Sequence, residues 1–326
     1  MARAPVMVKS CLLVALVLCM VVAGWLWSTR GRLRSIRCIP VFSNTGDGVA
    51  VTAPPVVPVW MFWNESPLPE TVQLCWNNWC HWCAKSKHVF VPTLITNANV
   101  AQYVDMTLHP CFDTATTYGQ ALRSDYIRLA LLSRYGGVYL DASVIMTEPL
   151  DWILGQDKRG YGFFQATFNK KNMTLGCHIP VIENSFLSAP PNHPLVVSWF
   201  ERLLRVQDCS AASLSQMVEH TPKQSNLDDK YHFTYHVMTQ LLMETPLHKH
   251  GAYNIYDSLE LKYLNFQLQS VNDLAQRHHS DVKYGPLLKL TSRNRKQLAE
   301  LLSKNQVVPG SFVDVFLVRI PAATEH

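Results

Sequence analysis

The sequence predicts an α/β fold with a mainly parallel central sheet, and three observations carry that prediction. Short apolar runs alternate with stretches of helical periodicity through most of the chain, the pattern of a sheet covered on both faces. Residues 124–143, SDYIRLALLSRYGGVYLDAS, lead an amphipathic helix through a Gly-Gly turn into a short strand that ends on a carboxylate. The composition, 48% apolar and 16% charged, is ample for a large core and excludes a disordered chain.

Residues 56–63 read as the first strand and 69–82 as a helix whose Trp76, Trp79 and Trp82 recur at helical spacing and pack one face. Residues 89–96 form a second strand. The central helix spans 114–135. Its Ile127, Leu131 and Leu132 turn one side to a core, while Ser124, Asp125 and Arg128 gather at one end. Gly136-Gly137 stops it, because glycine alone takes left-handed backbone angles without penalty. Residues 138–141 make a buried strand with Asp141 at its carboxyl end, the edge where ligands collect in open α/β sheets. Strands at 160–168 and 177–186 follow, then helices at 194–206, 232–243 and 294–304.

Residues 11–27 carry no charge, lie between Lys9 and Arg30, and read as a transmembrane helix at the short end of the usual range. They divide the chain into a short tail (1–10), a signal anchor (11–27), a stem or linker (28–56) and one large domain (57–326). A cleaved signal peptide ending near Val22-Ala23-Gly24 is the alternative. Arg30, Arg32, Arg34 and Arg37 follow the segment and account for most of the net charge of +5. The rest of the chain is close to neutral, which leaves no basic stripe for nucleic acid. Positive-inside counting favours a cytosolic domain; of two sequons, Asn64 is followed by Pro67, which disfavours its use, whereas Asn172 sits in a polar stretch that reads as an exposed loop and favours a lumenal domain. Of nine cysteines, two lie in the apolar segment, so a free thiol remains even if the others pair within the chain. Cys75, Cys80, His81 and Cys83 lack a second ligand pair; a disulfide or buried thiols fit them better than zinc.

The run S-D-x-x-R-x-x-x-L-x-x-x-G-G-x-Y-x-D resembles the DxD-type sugar transferases, and its D-A-S ending resembles the capsular polysaccharide synthesis proteins among them. Pro58 with Trp60 and Trp63 is similar to that family's first strand. Asn184-Ser185-Phe186-Leu187-Ser188-Ala189, then Asn192-His193-Pro194-Leu195, and the closing Lys289-Leu290-Thr291 are similar to its later segments. Together they span roughly residues 57–292. The resemblance implies a GT-A-like nucleotide-sugar-binding sandwich and a glycosyltransferase, expected to be a metal-assisted, retaining hexosyltransferase. Its partners would be a nucleotide-sugar donor and a glycan, glycolipid or glycoprotein acceptor. With the Asn172 sequon, it tips the compartment to the Golgi lumen and the topology to type II, membrane-bound through the N-terminal helix.

Such a transfer loads charge onto a departing diphosphate, which a divalent cation or fixed positive groups must stabilise. Mn²⁺ or Mg²⁺ would take Asp141 as a direct or water-mediated ligand, with Ser143 standing where a D-x-D motif has its second carboxylate. A hydroxyl is the poorer ligand, and the ordinary alternative for Asp141 is a turn cap. By the resemblance, Asp125 and Arg128 grip hydroxyls of the donor sugar beside Ser124, and with Asp141 they form the expected catalytic set. An i,i+3 surface ion pair is the alternative. Trp60 and Trp63 differ in parity and face opposite sides of the first strand. Both are placed in the donor site, with Trp60 on the base, against the alternative of two core tryptophans. Tyr139, Asn184 and Lys289 complete the donor set, Asn184 near the transferred sugar and Lys289 on the diphosphate. Two rival readings are a non-catalytic nucleotide- or glycan-binding homologue in a glycosylation complex, and a membrane-anchored hydrolase pairing Asp141 with His178 or His193.

Overall fold

The first strand, β1 (Val57–Phe62), alternates its side chains across a sheet that is buried on both faces. Val57, Val59 and Met61 enter one core, while Trp60 and Phe62 enter the other. The computed structural model describes residues 56–108, 117–154, 162–165, 182–205, 216, 233–244, 254–257 and 270–323. Within it, β1 lies between β2 (Phe90–Ile95) and β3 (Gly137–Leu140), parallel to both. Beyond β3 comes β6 (Ile182–Ala189), antiparallel to β3 and to its other neighbour, β5 (Gly162–Gln165). The edge strand β7 (Asn254–Asp257) is parallel to β5. All strands of this sheet except β6 therefore share one direction, so the sheet is mainly parallel.

Helices cover both faces. On the Trp60 side lie α2 (Thr117–Tyr135), α3 (Pro194–Leu204) and α4 (Phe233–Glu244), which contribute Ile127, Leu131, Trp199 and Met238 to the core. On the Met61 side lies α1 (Glu70–Ala84), with Val72, Trp79 and Cys83 packed beneath the sheet. A second, two-stranded antiparallel sheet joins β4 (Val144–Met146) to β8 (Leu287–Lys289). It is backed by α5 (Val271–Gln276), α6 (Ser292–Ser303) and a π-helical turn, Asp314–Val318.

The cysteine-bearing helix is a clamp. Asn78, fully buried, receives the Met146 N–H on Oδ1 at 2.7 Å and donates Nδ2 to the carbonyls of Met146 and Phe316, each at 2.8 Å. Trp79 Nε1 donates to the Val144 carbonyl at 2.7 Å. These bonds fix β4, and with it the turn that carries Asp141. Cys75, Cys80 and Cys83 are free thiols, and burial pushes the Cys75 thiol up to about 12.

The Gly-Gly turn takes φ of +65° at Gly136 and +98° at Gly137. A Cβ on Gly136 would meet Pro191 N at 2.4 Å, and one on Gly137 would meet the Pro58 carbonyl at 2.3 Å. Both glycines are thus required by close approach as well as by handedness.

Element boundaries differ from the sequence reading by a few residues. Strand β6 runs on to Ala189 instead of ending at Phe186, since Leu187 and Ala189 also face the core. Strands β4, β7 and β8 and helix α5 had no counterpart in that reading, being too short to display a period. The tail, the apolar segment 11–27, most of the stem and the Asn172 sequon lie outside the described residues. Among those described, no helix is long and apolar enough to cross a membrane.

Candidate functional site

At the carboxyl edge of β3, Asp141 is held from behind by its own backbone, whose N–H donates to the Ser185 carbonyl at 2.9 Å. Its side chain meets two cations. Arg128 Nη2 donates to Oδ1 at 2.9 Å, and Lys289 Nζ donates to Oδ2 at 2.8 Å. Burial alone would raise the Asp141 carboxyl. Lys289 and then Arg128 reverse that and hold it below the usual carboxylate range. Reciprocally, burial would lower Lys289, but Asp141 and Glu183 raise its ammonium above the ordinary lysine range.

Arg128 ties the site together. Besides Asp141 it contacts the Asn184 carbonyl at 2.5 Å, Ser124 Oγ at 3.2 Å and Asp125 Oδ1 at 3.3 Å. Its guanidinium lies over the Tyr139 ring, 4.8 Å from the centroid. Tyr139 in turn meets Ser124 through its hydroxyl at 3.2 Å. Asp125 stands one layer further in, 8% exposed, accepting from Asn184 Nδ2 at 3.0 Å and from Thr234 Oγ1. Burial raises its carboxyl, with Arg128 and Thr234 offsetting only part of the effect.

The structure thus brings Ser124, Asp125, Arg128, Tyr139, Asp141, Asn184 and Lys289 into one network. Several expected roles change within it. Trp60 is a correction: it is 4% exposed, its Nε1 donates to the Gly136 carbonyl at 2.8 Å, and Tyr103 and Tyr135 pack against its ring. No face is left for a base, and Trp60 anchors the Gly-Gly turn instead. Trp63 is the tryptophan on the site side, half-buried, with the Arg295 guanidinium 5.4 Å from its ring centroid. Tyr139 is 1% exposed and can only orient Arg128. Asp125 likewise spends both oxygens on protein donors, which makes it an organiser of Arg128 and Asn184. His193, offered to the hydrolase reading, is the N-cap of α3, its Nδ1 accepting from Leu195 N at 3.3 Å.

The expected divalent cation does not fit these residues. Each Asp141 oxygen already holds a cationic nitrogen. Ser143 is 3% exposed, and its carbonyl accepts from Leu290 N at 2.9 Å, which fixes the turn to the β8 segment. Among the described residues no three His, Cys, Asp or Glu side chains cluster as ligands would. Asp141 and Ser143, so engaged, do not present the open oxygen pair that a cation would need.

Other residues were missed in the sequence. Thr234 on α4 and Arg295 on α6 carry no local signal. Glu183, which precedes Asn184 in the segment the sequence did flag, is 2% exposed and lies 3.8 Å from Lys289 Nζ. An open cleft of about 120 Å³ lies beside the network at the carboxyl ends of β1 and β2, lined by Phe62, Asn64, Glu65, Asn97, Gln120 and Arg123. Gln120 lies one turn before Ser124 on α2 and three residues from Arg123, a helical spacing that could have flagged the pair.

Similarity to known proteins falls on the same elements. Residues 49–207 match the family model of capsular polysaccharide synthesis proteins. The chain is 25% identical over 163 residues to O-glycosyltransferase braB of Annulohypoxylon truncatum, covering 46% of this chain and 37% of that protein. It is 26% identical over 133 residues to an uncharacterised glycosyltransferase of Acanthamoeba polyphaga mimivirus, covering 39% of this chain and 48% of the other. It therefore spans less than half the length of these curated relatives. Solved structures resemble it loosely. A glycosyltransferase involved in glycosylation of the PBCV-1 major capsid gives a TM-score of 0.37 at 10% identity, over 76% of this chain and 100% of that one. GlyE of Streptococcus pneumoniae TIGR4 gives 0.37 at 11%, over 78% of this chain and 65% of that one. The segment matched by the family model, just under half of the chain, runs from the stem through β1, the Gly-Gly turn, Asp141 and the His193 cap, and over it the chain is similar to the capsular polysaccharide synthesis proteins.

Proposed function

We propose that the protein is a glycosyltransferase that moves a sugar, a hexose by expectation, from a nucleotide-sugar donor to a glycan or glycoconjugate hydroxyl. The observation that carries this reading is the Arg128–Asp141–Lys289 array at the carboxyl edge of β3, beside the open cleft. The family, and relatives named as glycosyltransferases, support the same reaction class.

Each part has a chemical task. The cleft takes the nucleoside, and Lys289 meets the diphosphate. Arg128, pinned by Asp125, Ser124 and Tyr139, fixes the Asp141 carboxylate and the Asn184 carbonyl, which orient the donor sugar. The fold is read as GT-A-like and the stereochemistry as retaining because the resembled sugar transferases are so. The chain would be anchored through residues 11–27 as a type II protein facing the Golgi lumen. Carbonate extraction and protease protection of the full chain test that topology.

The test of activity is nucleotide release from UDP-, GDP- and CMP-sugars by the full chain, repeated with Arg128→Lys. Release from one donor that falls at least tenfold in the variant supports the reading, since lysine cannot reproduce the guanidinium fork. Donor binding without release would instead favour a non-catalytic homologue.

A further inference from the structure

We propose that Lys289, paired with Asp141, and Arg295 on the neighbouring helix neutralise the donor diphosphate in place of a divalent cation. The inference rests on the glycosyltransferase reading and adds to it the means by which the leaving group is stabilised.

Three observations converge. First, the position that would supply a second carboxylate is Ser143, buried and locked by its backbone to Leu290. Second, both Asp141 oxygens are taken by cations, at 2.8 and 2.9 Å. Third, α6 brings a further cation, Arg295, to the Trp63 ring at the end of β1. Arg295 is half-buried, and burial lowers its guanidinium while Asp141 draws it back. It lies against the Trp63 ring and gives one bond, to Ser292 Oγ at 3.3 Å.

The neighbouring anions do not cancel this arrangement. Asp125 is committed to Asn184 and Thr234 on the far side of Arg128. Glu183 accepts from Ser185 N at 3.1 Å and stands 3.8 Å from Lys289. Lys289 has three N–H bonds, and Asp141 and Glu183 take two directions, so a phosphate oxygen can claim the third without breaking the pair. Arg295 has five, of which one is used. A metal with two carboxylate ligands would likewise be neutral as a unit; here the positive groups are simply covalent to the chain.

The chain delivers both cations by ordinary means. Lys289-Leu290-Thr291 puts Lys289 in β8, Leu290 in the core and Thr291 at the N-cap of α6, in a capping box with Asn294. Arg295 follows one turn into that helix. In the transfer, the bond from the sugar's anomeric carbon to the β-phosphate oxygen breaks, and the electron pair remains on that oxygen. The acceptor hydroxyl oxygen forms the new bond to the carbon, and its proton passes to the departing phosphate. Lys289 and Arg295 carry the charge that builds on the diphosphate.

The experiment has a binding arm and a turnover arm, both on the full chain. Calorimetric titration with UDP, GDP and CMP is run in EDTA and in Mn²⁺, with electron-paramagnetic-resonance titration of Mn²⁺ alone. Release from the corresponding nucleotide-sugars is followed in the same buffers. We expect one nucleoside diphosphate to bind equally in both buffers and turnover to survive EDTA. Lys289→Met and Arg295→Gln should each weaken binding about 10- to 100-fold, the scale of a lost charge-assisted contact. Arg295→Gln, on a half-exposed helix face, keeps the test valid if Lys289→Met fails to fold. Tight Mn²⁺ binding, or nucleotide binding and release that require Mn²⁺, overturns the inference but keeps the glycosyltransferase. No binding and no release in either buffer overturns both.

Discussion

The Asp141–Lys289 pair should behave as a coupled buried ion pair, and a double-mutant cycle measures it. At 2.8 Å the gross attraction is about 6 kcal/mol at an effective dielectric constant of about 20. Desolvation takes back several kcal/mol per ion, so the net coupling should be about 1–3 kcal/mol. Asp141→Asn leaves Lys289 without its carboxylate and can turn an amide N–H toward it, and should cost about 2–4 kcal/mol. Lys289→Met leaves Asp141 paired with Arg128 and should cost less. The double variant should then be more stable than the sum of the two predicts. The assay is urea denaturation of the wild type, both single variants and the double variant, at neutral pH and at low and high salt. The coupling should survive high salt, because a buried pair is poorly screened. A coupling within about 0.5 kcal/mol of zero, as for an exposed pair, would refute the argument that the site is built around this contact.

Acid should reveal the opposed carboxylates. Asp141, depressed in the fold, contributes stability that is present above about pH 4 and lost as pH falls through its folded value. Asp125, raised, has the opposite sign: its penalty, present above its folded value, fades as pH falls. Melting curves of Asp141→Asn should thus lose acid sensitivity, and those of Asp125→Asn should gain it. Asn78→Ala strips three backbone partners from the β4 clamp and should cost about 2–4 kcal/mol by thermal unfolding. Gly137→Ala forces a Cβ against the Pro58 carbonyl at a left-handed φ and should cost about 3 kcal/mol or more, read as lost soluble yield or melting temperature. Trp60→Phe should lower stability by about 1–2 kcal/mol with nucleotide affinity unchanged. Trp63→Ala should instead weaken nucleotide binding, a split that equilibrium titration detects.

What could be read in the sequence was whatever the chain repeats or places close together. The period of Ile127, Leu131 and Leu132, the Gly-Gly stop and the strand end at Asp141 all survive in the fold, because each depends on neighbours within a few residues. The i,i+3 pairing of Asp125 and Arg128 was legible for the same reason. The parity of Trp60 and Trp63 showed that they face opposite sides. It did not show which side is buried, because that depends on where α2 packs, a non-local fact. Thr234 and Arg295 were invisible: one lies in an unremarkable helix, and the other in a polar run that reads as solvent-facing. Lys289 was found only through a motif, since nothing local ties it to a carboxylate 148 positions earlier.

The family motifs divide accordingly between chemistry and scaffolding. His193-Pro194 starts a helix, with histidine as cap and proline at the first turn. Trp60 and the two glycines secure one turn, and Thr291 caps another helix. Only Arg128, Asp141, Lys289 and the groups that orient them carry polarity to the sheet edge. The cation array depends on this scaffolding at each point. Ser143 binds the Asp141 turn to Leu290, Asn78 and Trp79 hold β4 on α1, and β4 pairs with β8, so the backbone of Lys289 is fixed beside that of Asp141. The positions of Asp141 and of the strands around it are thus set by hydrogen bonds to main-chain atoms.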